Sequence, residues 1–187
     1  MRQRNEGFSL IELIVVIAIM TVLTVGLVMG LSSVFHMEEK KTVETICGKL
    51  NYTQNSAMAK SFAYIAIERE SDGYYITLVE GRGERQRKEH KRLCSLETTI
   101  SYTTSNDGNV QEIDETHPLA LTYQKTSGAF APMIDHIEEN DTFVFVSYQD
   151  EEGTARDCYC TGIVVTRDDR SSSIVLYPKT GKCEQEQ

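Results

Sequence analysis

Residues 13–35 carry no charged side chain, a run of 23 positions. As a helix at about 1.5 Å per residue, such a run is roughly 34 Å long. The hydrocarbon core of a bilayer is about 30 Å thick, so the segment is long enough to span it. Core helices of soluble domains seldom extend so far without polar relief. A cleaved secretory signal has a shorter apolar region, about 7–15 residues, ending at a small-residue cleavage site. The expectation is a membrane-spanning helix. Arg2 and Arg4 precede it, whereas Glu38, Glu39, Lys40 and Lys41 behind it cancel one another. Retention of positive charge on the cytoplasmic side then places the N-terminus inside and the body of the chain outside.

Between positions 8 and 35, 20 of 28 residues are apolar and Glu12 is the single charge. Without that stretch only about 35% of the chain is apolar, which is polar by globular standards. Such a division, a greasy N-terminus on a polar body, argues against a cytosolic soluble enzyme. The net charge of -9 argues against a dedicated nucleic-acid binder, whose footprint is usually basic. The whole chain, 187 residues, has room for one domain with appendages.

Glu12 is an ionisable group inside an apolar helix, where it costs roughly 2.5 kcal/mol or more near the bilayer centre. Snorkelling to the headgroups would relieve that cost. So would a cationic partner, and the apolar segment itself contains none. A free amine at Phe8 would serve, because Phe8 and Glu12 lie one helical turn apart. The sequence from Gly7 through Phe8, Ser9, Leu10, Ile11, Glu12 and Leu13 to Ile19 resembles the cleavage and methylation motif of type IV pilins and type II secretion pseudopilins. That resemblance implies a leader of residues 1–7, cleavage between Gly7 and Phe8 by prepilin peptidase, N-methylation of Phe8, and an assembly role for Glu12. Its coverage is the first 30 residues or so.

Beyond the span, Val43, Ile46, Cys47 and Leu50 keep the i, i+3, i+4, i+7 spacing of an amphipathic stripe. One helix is therefore expected from Phe8 to about Lys60, roughly 80 Å long. Residues 8–35 form its transmembrane half and residues 36–61 its amphipathic half. Gly26 and Gly30 form a Gly-x-x-x-Gly pair that suits close helix packing or local weakening of the helix.

From residue 62 the hydrophobic period becomes two. Strands are expected at 62–68, 74–80, 98–104, 119–124, 142–149, 159–167 and 173–177, with turns at 71–73 and 168–171. The fold class is therefore α+β, with the long N-terminal helix packed on a C-terminal antiparallel β-sheet head spanning residues 62–187. Residues 176–182 resemble the closing strand and Thr-Gly turn of GspH-like and competence-type minor pilins.

The sequence holds no nucleophile elbow, phosphate loop or zincin motif, so an enzyme is not expected, nor a cofactor or metal. The acidic clusters at 138–141 and 150–152 lack an EF-hand pattern and read as solvated loops. Cysteines at 47, 94, 158, 160 and 183 imply at least one disulfide in an extracellular setting. Continuing the 159–167/173–177 hairpin outward brings Cys183 to Cys158 and Cys160. Cys158 is the expected partner, although a slip of one residue would select differently. Residues 82–92 form a basic island with Arg82, Arg85, Arg87, Lys88, Lys91 and Arg92. The island reads as a solvated hairpin loop, or as a contact to DNA or to an acidic face of the next subunit.

The resulting expectation is a structural subunit, by resemblance a minor one, of a type IV pilus or pseudopilus. Its partners would be other pilin subunits, prepilin peptidase and the membrane assembly machinery. It would be a single-pass membrane precursor with its C-terminal domain outside, and extracellular after assembly. Two alternatives are a competence-type minor pilin that touches DNA through residues 82–92, and an uncleaved signal-anchor surface protein.

Overall fold

A computed structural model describes residues 10–60, 62–106, 108–138, 141–150 and 152–186, with the side chains of 25–37 and 60 left aside. The chain divides into two units, Met1–Glu38 and Glu39–Gln187. One helix, α1 (Leu10–Lys60), contributes to both. In the first unit every described side chain from residue 10 to 24 is exposed. Among the described residues no helix is long and apolar enough to cross a membrane. The span expected over residues 8–35 lies partly outside them.

In the second unit, α1 buries Thr42, Val43, Ile46, Leu50, Thr53 and Ala57. From Val43 onward these positions recur every three or four residues, and Thr42 flanks them, so they share one stripe of the helix. The described residues of this unit form thirteen strands: β1 (Ala63–Glu70), β2 (Gly73–Glu80), β3 (Arg87–Cys94), β4 (Thr98–Thr104), β5 (Val110–Glu112), β6 (Leu119–Thr122), β7 (Ile134–Ile137), β8 (Phe143–Phe145), β9 (Ser147–Gln149), β10 (Ala155–Asp157), β11 (Cys160–Arg167), β12 (Arg170–Tyr177) and β13 (Lys182–Glu186). They pair antiparallel in the orders β3-β2-β1-β6-β7-β8 and β13-β12-β11-β4-β5, with β9 and β10 a separate pair. This is an α+β fold of the pilin-like kind.

A single core joins the layers. Ile65, Ile67, Tyr74, Ile76, Leu119 and Leu121 enter it from the first sheet, and Ile100, Tyr102, Ile163, Val165, Ile174 and Leu176 from the second. Directly paired residues share a face of a sheet. The pairs Ile65–Leu78, Ile67–Ile76 and Ile163–Ile174 therefore put apolar side chains on common faces.

Two expectations are corrected here. Residues 82–92 are not one loop: after a 3-10 turn (Gly83–Arg85) the chain enters β3, which pairs with β2 along its length and forms an edge of the first sheet. An edge strand made of Arg, Lys, Glu and His resists pairing with another chain, which explains charge where a strand is needed. Cys183 is bonded to Cys47, not to Cys158. The chain turns after β12 and returns as β13, so β12 lies between Cys183 and β11. Leu176, the residue opposite Cys183, is buried in the core, so Cys183 shares the face directed at that core and meets Cys47 of α1 across 6.3 Å between Cα atoms. Cys94, Cys158 and Cys160 are buried and stand outside the disulfide. Burial pushes the Cys160 thiol up to about 12, so it keeps its proton at neutral pH and is a poor nucleophile.

Candidate functional site

Gly7 and Phe8 lie outside the described residues. Glu12 does not: it occupies the first turn of α1 and is exposed. Around it Leu10 is 78% exposed, Ile11 71% and Val22 73%, so apolar side chains face outward on every side. The polar side chains in this stretch are self-contained. Thr21 donates its hydroxyl to the Ile17 carbonyl at 2.7 Å and Thr24 to that of Met20 at 2.6 Å. Back-bonding of this kind removes the cost of placing a hydroxyl in an apolar medium. Glu12 is thus the one ionisable group on a helical surface otherwise suited to lipid or to other apolar helices.

The second half of α1 is fixed to the β-domain by contacts spaced along it. Cys47 carries the disulfide to β13. Lys49 Nζ bonds Glu89 Oε1 of β3 at 2.6 Å, and this bond holds the Glu89 carboxyl below its usual range. One turn on, the Tyr52 hydroxyl approaches Glu80 Oε2 at 3.3 Å, and a turn further the Ser56 hydroxyl donates to the same oxygen at 2.9 Å. Glu80 is only 3% exposed, so these donors replace water around a buried carboxylate. Gln54 Nε2 donates to the Gly128 carbonyl at 2.7 Å. That bond requires close approach of two turns. Gly128 has φ +68° and Gly181 φ +69°, and a Cβ at Gly181 would run into the Gly128 carbonyl and Gln54. The sequence pattern places Cys47 on the helical stripe without indicating its partner, and it does not single out Gln54, Ser56 or Glu80. For Gln54 and Ser56 the available signal is their three- to four-residue spacing from the buried stripe; Glu80, on β2, has no signal of that kind.

Two of the basic residues of 82–92, Arg82 and Arg92, make local contacts. The Arg82 guanidinium lies 5.1 Å above the Phe62 ring and reaches the Asp141 carbonyl at 3.4 Å. Arg92 bonds the Asp72 carbonyl at 2.5 Å, beside the Asp72 carboxylate. Arg82, Arg85 and Arg87 line one open depression of about 650 Å³ together with Glu80. Nothing in this geometry selects a nucleic acid, and the DNA reading gains no support. Asp150, from the acidic cluster at 150–152, ties its own turn. Its carboxylate accepts the Thr154 N–H, the Arg156 guanidinium and the Glu152 N–H, which hold its pKa below the usual range.

No curated protein and no solved structure matches the chain. Residues 2–28 match the family described as the prokaryotic N-terminal methylation motif. The match contains Gly7, Phe8 and Glu12 and ends within the uncharged run. By that motif the chain carries the N-terminal signature of the type IV pilin and pseudopilin family, that of a membrane-anchored precursor destined for prepilin processing.

Proposed function

We propose that this chain is a structural subunit of a type IV pilus or pseudopilus and does not act as an enzyme. The observation that carries the reading is the methylation motif at residues 2–28. It is supported by the outward-facing apolar surface of residues 10–24, which needs lipid before assembly and other helices after it. In this reading prepilin peptidase cuts between Gly7 and Phe8 and methylates the new N-terminus. Before assembly residues 8–35 hold the precursor in the cytoplasmic membrane, N-terminus inside, with the β-domain outside. A minor rather than major subunit is favoured by the resemblance of residues 176–182 to the closing turn of minor pilins.

Glu12 provides the register. A carboxylate in an apolar bundle is costly unless a cation meets it, and the Phe8 amine of a neighbouring subunit supplies one. Glu12→Val should leave processing and membrane insertion intact, since it removes a penalty of about 2.5 kcal/mol. It should abolish recovery of the subunit in sheared filaments. Incorporation at the wild-type level would overturn the pairing role of Glu12.

A further inference from the structure

The outer face of the first sheet gathers three metal-ligating side chains that the assembly reading does not use. Glu68 and Glu70 are two residues apart on β1 and so project from the same face of the strand. His90 stands on β3, two strands away, opposite Thr77 of β2. One ligand atom from each of Glu68, Glu70 and His90 can be chosen so that all three lie within 4.8 Å of one another. His90 Nε2 is 3.2 Å from Glu70 Oε1.

The imidazole is held in place from two other directions. Its Nδ1 is 2.9 Å from the Thr77 hydroxyl oxygen, on a residue only 3% exposed. Its ring stacks on Tyr75, with centroids 4.7 Å apart and planes 7° from parallel. When Nδ1–H donates to Thr77 Oγ1 and a metal ion takes the place of a proton on Nε2, the Nε2 lone pair points to the carboxylates. That is the arrangement by which an outer hydrogen bond sets the tautomer and aim of a ligating histidine. A plain surface ion pair needs one carboxylate and is worth about 0–1 kcal/mol. It gives no reason for a second carboxylate at the same point, where two like charges repel.

We propose that Glu68, Glu70 and His90 form a binding site for a divalent transition-metal cation of the zinc type. One imidazole nitrogen and two carboxylate oxygens are a donor set that zinc accepts, with a fourth position left to water. Lys88, two residues before His90 on β3, lies on the same face of the sheet. Arg92, on the same strand as His90, is drawn to Asp72, and Arg69 is paired with Glu112 at 3.4 Å. Two carboxylates thus converge on one imidazole, and a dication held among the three ligand atoms offsets their mutual repulsion.

The test uses the full chain in detergent micelles, stripped with chelator and titrated with zinc chloride by calorimetry. Wild-type protein should bind one equivalent through this site. Glu68→Gln and His90→Ala should each weaken that binding at least tenfold, while their metal-free thermal melts stay close to wild type. Thr77→Ser, which keeps the hydroxyl, should retain it, and Thr77→Val should lose about 10–100-fold, the range for outer-shell partners. Zinc uptake by His90→Ala and Glu68→Gln equal to that of wild type would assign the metal to the buried thiols and overturn the proposal. So would absence of binding by wild type at 100-fold excess zinc.

Discussion

At the scale of single residues, the informative side chains are polar groups in apolar surroundings, each of which demands a partner. Glu80 finds Ser56 and Tyr52 inside the domain. Glu12 has around it the exposed apolar side chains of its own helix, which is why its partner is sought on another subunit. The Lys49–Glu89 bond is more modest, since the Glu89 side chain is 42% exposed and water screens it. Its sign is nonetheless determined. The Glu89 carboxyl titrates lower in the folded chain than its ordinary value of 4.5, chiefly through the Lys49 hydrogen bond. The bond therefore stabilises the fold above that value, and the contribution is lost as pH falls through the folded pKa. Urea midpoints of wild type should decline more steeply below pH 4.5 than those of Lys49→Met. Parallel declines would show that the pair contributes nothing.

Elements show where local preference and packing agree. Gly48 lies in α1 with open space where a Cβ would stand, so Gly48→Ala should stabilise the domain by about 0.5–1 kcal/mol through helix propensity. Gly181→Ala should do the reverse, by about 1–3 kcal/mol, because its φ is +69° and its Cβ position is already taken by Gly128 and Gln54. Chemical denaturation of the two variants checks both signs. The same division explains what could be read beforehand. The amphipathic half of α1, the pairs β1–β2 and β11–β12, and β4 announce themselves by apolar periodicity over seven or more residues. Strand β3 does not, because its exposed edge is filled with charge, and β13 (KCEQE) is almost equally polar. β5, β7 and β10 have three or four residues, too few to show a period. Missing β13 had a direct consequence, since Cys183 can be assigned to Cys47 only once that strand is known to return beside β12. The cluster of Glu68, Glu70 and His90 was hidden for the same reason: it depends on β3 being a strand in register with β2.

For the whole molecule, the β-domain grips one stretch of helix while the preceding stretch of the same helix presents an apolar surface. The Cys47–Cys183 bond closes a loop of 136 residues around most of the domain. Replacing both cysteines with serine should lower unfolding stability by about 2–5 kcal/mol, read from urea midpoints. A change under about 0.5 kcal/mol would mean that the remaining contacts of α1 suffice. Above all this stands the claim that the chain is made as a precursor and matured at the junction of Gly7 and Phe8. Intact mass spectrometry of the membrane-extracted protein tests it most directly. The account predicts a mass lower by residues 1–7 and higher by one methyl group, with the methyl located on Phe8. A full-length, unmethylated mass from cells with an active prepilin peptidase would contradict it.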